Sequence, residues 1–191
     1  ALSLAPDDQR AREGLARLQG DNAAATARAG PIPGAPVAAD EPLSLSEMEA
    51  GAHAAFQRGD YRRAAGLYGD AIKAAGEAVT PSLLRNHAVA LHKAKKLRAA
   101  IRAYEAAIAT LPKDAELHAM MGKALSEQRQ DGAALTALRR ALEIQPTNSK
   151  ARFELGVVAL RRGRHSEAAT AFEQILSREP DNKGALQNLI K

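Results

Sequence analysis

The chain repeats one pattern four times, and this repetition limits the possible folds more than any other feature of the sequence. Similar stretches of eighteen residues begin at Gly59, Lys95, Arg129 and Gly163, so successive copies are 36, 34 and 34 residues apart. Each copy has a small residue (Ala64, Ala100, Ala134, Ala168) and, four positions later, a large apolar one (Tyr68, Tyr104, Leu138, Phe172). Repeats of this length predict an array of stacked units instead of one globular core.

The spacing of apolar residues within each copy indicates helices. Small and apolar residues recur three and four positions apart, which is the helical period, and no stretch of useful length alternates as a strand would. Each unit is expected to hold two helices joined by a short turn such as QRGDY or RRGRH. Helix starts are predicted at capping residues, namely Ser44 with Glu47, Thr80 before Pro81, Asp114, and Asn148. The sequence therefore predicts an all-α solenoid of antiparallel helix pairs.

The repeat also divides the chain into regions. Four units are expected within residues 44–182, at 45–80, 81–114, 115–148 and 149–182. Residues 21–43 are rich in Ala, Pro and Gly and indicate a linker. Residues 1–20 are interpreted as the remnant of an upstream repeat with a short helix, and residues 183–191 as a capping helix or the start of another repeat. The chain is thus expected to be a fragment, and self-association through residues 7–20 is a hypothesis.

The sequence offers little that could support catalysis or metal binding. Cysteine is absent, which excludes disulfides and thiolate metal sites and leaves a cytoplasmic and a periplasmic location equally open. His87 and His92 are five apart and point in different directions on a helix, and no HExxH, GxGxxG or Walker pattern occurs. No carboxylate pair has an apolar surrounding, and no window is apolar enough to span a membrane. We therefore expect no cofactor, no catalytic residue and no small-molecule substrate.

The charges follow the repeat as well. The net charge is +5, from 27 basic and 22 acidic residues, with basic residues at the turn inside each unit and acidic residues between units. This distribution complements the helix dipoles, and the alternative is a binding site for an acidic ligand. Nucleic-acid binding is less expected, because single strands need aromatic stacking partners and four of the six aromatic residues occupy repeat-packing positions.

The repeat resembles the tetratricopeptide repeat (TPR) family. Besides the 34-residue spacing and the closing Pro112, Pro146 and Pro180, the first-helix pattern of the family is present in Met121-Gly122 and in Leu155-Gly156. The tryptophan position of the family instead holds Met48, Leu84, His118 and Arg152. The resemblance implies a superhelix whose first helices line a concave groove that binds a peptide or helix of a partner protein.

Carried over by register, the groove would be lined by residues of every unit. These are Glu49, His53, Phe56, Arg85, Asn86, Val89, His92, Lys93, Lys123, Ser126, Lys150, Phe153, Val157 and Arg161. Family members that clamp the carboxylate of a chaperone tail need a fixed set of Lys, Asn and Arg. Asn86 matches that set, but Glu49, His53, Glu116 and Met120 replace its other members, which disfavours a heat-shock cochaperone role.

The expected function is therefore a protein-interaction scaffold whose partner the sequence does not name, with an acidic partner as the alternative that the basic turns leave open. The alternative is the non-catalytic repeat segment of a larger enzyme, such as a glycosyltransferase or an aspartyl hydroxylase, that presents protein substrates. If the protein instead continues with more repeats, a role in bacterial assembly or secretion is favoured.

Overall fold

A computed structural model describes residues 43–189. The remnant interpreted at residues 1–20, residues 21–42 of the interpreted linker, and the hypothesis of self-association through residues 7–20 lie outside this region. All regular structure between residues 43 and 189 is helical, which confirms the prediction of an all-α solenoid of helix pairs. The α-helices are α1 (Leu45–Gln57), α2 (Tyr61–Ala75), α3 (Pro81–Lys93), α4 (Leu97–Thr110), α5 (Ala115–Glu127), α6 (Asp131–Ile144), α7 (Ser149–Arg161), α8 (His165–Leu176) and α9 (Lys183–Leu189).

The helices stack in chain order. Each packs mainly against the helices before and after it, and the first helices of successive units also touch, α3 against α5 and α5 against α7. A short 3₁₀ helix, Gly76–Ala78, lengthens the connection from α2 to α3, in the interval where two copies are 36 instead of 34 residues apart. None of the helices between residues 43 and 189 has the length and hydropathy that crossing a bilayer requires.

The predicted capping residues begin the helices. Ser44 and Glu47 form a reciprocal capping box, with the Glu47 amide 3.3 Å from Ser44 Oγ and the Ser44 amide 2.9 Å from Glu47 Oε2. Thr80, Asp114 and Asn148 accept hydrogen bonds from backbone amides of the first turns of α3, α5 and α7. These caps fix where each first helix starts, and hence which residues face the neighbouring unit.

The turns inside the units share one backbone conformation. Gly59, Lys95, Arg129 and Gly163 occupy equivalent positions and have φ values of 80°, 61°, 63° and 70°. A left-handed residue commonly ends a helix, and glycine adopts that conformation without steric cost. Lys95 and Arg129 therefore carry backbone strain that the two glycines avoid.

The core lies between the two helices of each unit and is built from the repeated small and large residues. Ala64, Ala100, Ala134 and Ala168 are completely buried. The large residues four positions after them are at most 3% exposed. A Cβ atom added at Gly122 would lie 2.6 Å from Leu138 Cγ, and one at Gly156 would lie 2.7 Å from Phe172 Cζ. These two glycines let the helices of the third and fourth units approach so closely that a methyl group would overlap the facing side chain.

Candidate partner-binding groove

The first helices of the third and fourth units, together with α9, enclose a cavity of about 580 Å³. Three residues of the predicted set line it, namely Lys123, Lys150 and Phe153. The other lining residues are Glu116, Ala119, Met120, Ser149, Glu154, Glu179, Asn182 and Gly184. The size lies within the range of ligand pockets in proteins.

Phe153 provides the largest apolar surface of this cavity and is held from two sides. Its ring makes an edge-to-face contact with Phe172, with ring centroids 5.7 Å apart. A Cβ atom at Gly184 would lie 2.9 Å from Phe153 Cε2, so the glycine lets α9 close against the ring. These two contacts restrict the position of the Phe153 ring.

The charged residues of the cavity are paired with one another. Lys123 Nζ lies 3.0 Å from Glu154 Oε1, and Lys150 Nζ lies 3.3 Å from Glu116 Oε1, so both pairs join α5 to α7. Glu179 Oε1 accepts a hydrogen bond of 2.6 Å from Ser149 Oγ, which lowers the pKa of Glu179 and keeps it ionised. The groove thus presents charges of both signs around an apolar centre.

A smaller cavity of about 380 Å³ gathers predicted residues of the first two units. Glu49, His53 and Asn86 line it together with Ser46, Ala50 and Tyr68. The His53 ring nitrogen Nε2 is 3.0 Å from the side-chain amide of Gln57. Burial and the nearby Glu49 carboxylate raise the pKa of the Tyr68 hydroxyl. Six of the predicted residues therefore fall into two separate groups, one at each end of the array.

His92 lies between the two groups and links the second unit to the third. Its Nε2 is 3.3 Å from Glu127 Oε1, and its Nδ1 is 3.2 Å from the Tyr104 hydroxyl. A carboxylate can only accept, so Nε2 carries a proton. Burial lowers the pKa of His92 and so favours the neutral ring, in which Nδ1 accepts from the Tyr104 hydroxyl.

Two of the arginines predicted to line the groove form ion pairs within the chain. Arg85 pairs with Asp114, the residue that caps α5. Arg161 Nε lies 3.0 and 2.9 Å from the two carboxylate oxygens of Asp131, and its Nη2 donates to Ser126 Oγ at 3.0 Å. Hydrogen bonding to Arg161 lowers the pKa of Asp131. Both arginines join successive units, and Ser126 is buried beneath Arg161.

The remaining predicted residues do not line either cavity. Phe56 packs edge to face against Tyr61 with centroids 5.1 Å apart, and Val89 and Val157 pack half-buried against the core. Lys93 is exposed. Within residues 43–189, no group of three His, Asp or Glu side chains is arranged to hold a metal ion.

Eight lining residues were not in the predicted set, and among them Glu116, Ala119, Met120 and Glu154 lie within α5 and α7 beside predicted ones. Glu116 and Met120 occupy the register of the chaperone-tail clamp, so the signal for both was present in the sequence. Glu154 pairs with Lys123 one unit away, and opposite charges separated by about one repeat are a second usable signal.

Comparison with protein families identifies the repeat. The family model described as tetratricopeptide repeat matches residues 50–115 and 119–183. The chain belongs to the tetratricopeptide repeat family. No curated protein sequence matches it.

Solved TPR structures have the same fold. A crystal structure of the MamA protein is similar with a TM-score of 0.70 and 22% identity, covering 76% of this chain and 78% of MamA. A structure of MamA from Desulfovibrio magneticus RS-1, residues 41 to the end, gives 0.68 and 23%, with 73% and 78% covered. YrrB, described as a TPR protein with an unusual peptide-binding site, gives 0.64 and 20%, with 76% and 74% covered. The repeats and these neighbours support a protein-interaction scaffold.

Proposed function

We propose that the chain binds a peptide or helix of a partner protein in the groove formed by α5, α7 and α9. The observation that carries this proposal is the cavity of about 580 Å³ with Met120 and Phe153 at its apolar centre. The similarity to YrrB, described as having a peptide-binding site, adds support at the level of the fold. An inner wall of first helices is also the surface on which helical repeats bind extended or helical partners.

In this proposal an apolar side chain of the partner provides most of the affinity. Burying one aliphatic or aromatic side chain against Met120 and Phe153 contributes about 1.5–3 kcal/mol. Polar groups of the partner then compete for Lys123 and Lys150, whose side chains are 51% and 83% exposed. Exposed ion pairs contribute about 1 kcal/mol or less, so exchanging them for pairs with the partner costs little.

The charge of the partner follows from the same lining. Glu116, Glu154 and Glu179 stand beside the two lysines, so the groove can pair with cations as well as anions. We therefore propose a peptide with an apolar anchor and flanking charges of both signs for this groove. The acidic partner expected from the net charge of the chain stays a prediction.

The proposal is tested by selecting peptides that bind the full chain from a library. The affinity of a selected peptide is then measured for single variants of the chain. Met120→Glu places a charge in the apolar centre and is expected to weaken a selected peptide by about tenfold or more. Lys150→Glu is expected to change the affinity, while Lys73→Glu, an equally exposed lysine on α2 that also has an acidic neighbour, is not. A peptide that is sensitive to Lys73→Glu but not to Met120→Glu or Lys150→Glu would contradict the assignment, as would failure of the selection.

Arg85 and Arg161 are unsuitable for this test although the sequence predicts them in the groove. Their ion pairs join neighbouring units, so removing either would mix stability with binding. The alternatives of a substrate-presenting segment in a larger enzyme and of a role in bacterial assembly or secretion stay predictions, which the adjoining reading frame tests.

A further inference from the structure

A second groove lies between the second helices α2 and α4, on a different face of α3 from the residues predicted to bind a partner. Its volume is about 600 Å³. We call it the α2–α4 groove and define it by Gly66, Gly69, Leu84, Ala99, Ala103 and Ala106. His87 also lines it, and burial lowers the pKa of this histidine, so the imidazole at the groove is neutral near pH 7. The surface is mostly apolar, and the charged residues Asp70, Lys73 and Arg102 also line it.

The equivalent groove between α6 and α8 is smaller, about 410 Å³, and polar side chains cross it. Arg152, at the position of Leu84, donates to Gln174 and to the carbonyl of Pro146. Arg139 and Glu167 take the positions of Gly69 and Ala99 and bridge the two helices at 2.6 Å. None of these polar groups has a counterpart in the α2–α4 groove. The α2–α4 groove is therefore wider and less polar at these positions than the groove between α6 and α8.

Gly66 supplies an independent observation. Glycine inside a helix costs about 1 kcal/mol relative to alanine, and at Gly122 and Gly156 the close packing of Leu138 and Phe172 accounts for it. A Cβ atom at Gly66 would meet no atom within 4 Å, and the equivalent position on α6 is Thr136. Nothing in the described part of the chain explains Gly66. The missing side chain leaves room for close approach of a group from another molecule.

The rim of the groove is basic. Arg62 lies one turn before Gly66 on α2, Arg102 lines the groove on α4, and Arg98 lies one turn before Arg102. All three are exposed, and none forms an ion pair with residues 43–189. Lys73 is paired with Asp70 at 3.0 Å. An apolar floor between unpaired cations complements an apolar stripe between carboxylates.

We propose that the α2–α4 groove binds an amphipathic α-helix of a partner protein, with its apolar stripe over Gly66 and Ala103 and acidic residues facing Arg62 and Arg102. Small residues on both walls allow a helix to approach closely, and apolar residues at i, i+3, i+4 and i+7 are the recognition pattern of helix-in-groove complexes. A second copy of this chain fits less well, because its net charge of +5 opposes the basic rim. This surface is distinct from the α5–α7–α9 groove and does not depend on the function proposed for it.

Two synthetic peptides and the full chain test the proposal. Both peptides carry leucine at helical i, i+3, i+4 and i+7 positions, and one is flanked by glutamates while the other is flanked by lysines. Fluorescence anisotropy is expected to show binding of the glutamate peptide only. Gly66→Leu fills the groove and is expected to weaken that binding by about tenfold or more, and Arg102→Glu to weaken it as well.

The controls separate this result from misfolding and from binding elsewhere. Gly66→Leu removes a helix-interior glycine, so its melting temperature is expected to equal or exceed that of the parent chain. Thr136→Leu, at the equivalent position on α6, and Met120→Glu, in the other groove, are expected to leave the affinity unchanged. The proposal is overturned if the glutamate peptide does not bind, if both peptides bind equally, or if Gly66→Leu has no effect. Self-association of the chain that Gly66→Leu abolishes would identify a second copy as the occupant and would also overturn it.

Discussion

Replacing glycine by alanine at two helical positions is expected to change stability in opposite directions. The methyl group improves helix propensity by about 1 kcal/mol at any helix interior. At Gly122 it would also lie 2.6 and 2.8 Å from Leu138 Cγ and Cδ2 and 3.3 Å from the Ala134 carbonyl oxygen. Leu138 is completely buried and its Cγ is close to the backbone, so it cannot move aside.

Overpacking a close-packed core costs about 1–3 kcal/mol, so Gly122→Ala is expected to lower the free energy of unfolding by up to about 2 kcal/mol. Gly66→Ala meets no atom within 4 Å and is expected to raise it by about 0.5–1 kcal/mol. Urea unfolding followed by far-ultraviolet circular dichroism measures both. Shifts of the same sign in the two variants would refute the close approach of α5 and α6 described above.

Three further predictions concern the joints and turns of the array. Arg161→Ala should lower the free energy of unfolding by about 1–3 kcal/mol, because Asp131 loses its charged donor; an unchanged urea midpoint would contradict this. Arg129→Gly should stabilise the chain by about 0.5–1 kcal/mol by relieving the left-handed strain at φ 63°, and a lower melting temperature would argue against that strain. Burial lowers the pKa of His87 and His92, so the folded chain binds fewer protons than the unfolded chain once the pH falls below about 6.5. Stability is then lost as the pH falls through the folded-state pKa values, and equal urea midpoints at pH 7.5 and 5 would exclude this.

The fold could be predicted because each level of the sequence gives the same answer. The columns of Ala134 and Leu138, the helical period and the capping residues Ser44 and Asn148 all place the helices in the same register. These signals depend only on residues that are close together in the sequence, and each copy of the repeat contains them again. The cap at Asp60 was missed, although its side chain accepts from the Arg63 amide at 3.2 Å.

The grooves could be predicted only in part, because the register tells which face a side chain occupies and not what it contacts. Arg85 and Arg161 have the register of groove residues, yet acidic residues about one unit away engage both. The α2–α4 groove is open in part because Gly66 has no side chain. A single sequence does not distinguish such a glycine from one that is required for packing, as Gly122 is. That distinction needs the distance to the facing helix.

The central claim, that a partner peptide binds over Met120 and Phe153, is tested most directly by nuclear magnetic resonance of the methionine methyl groups. The chain has three methionines, Met48, Met120 and Met121, and all lie within the described residues. Met120 lines the groove of α5, α7 and α9. Met48 belongs to α1, at the other end of the array, and packs against the core there. Addition of a peptide selected on the full chain is expected to shift the Met120 signal and leave that of Met48 in place. A bound peptide that shifts Met48, or that shifts neither, would contradict the proposed site.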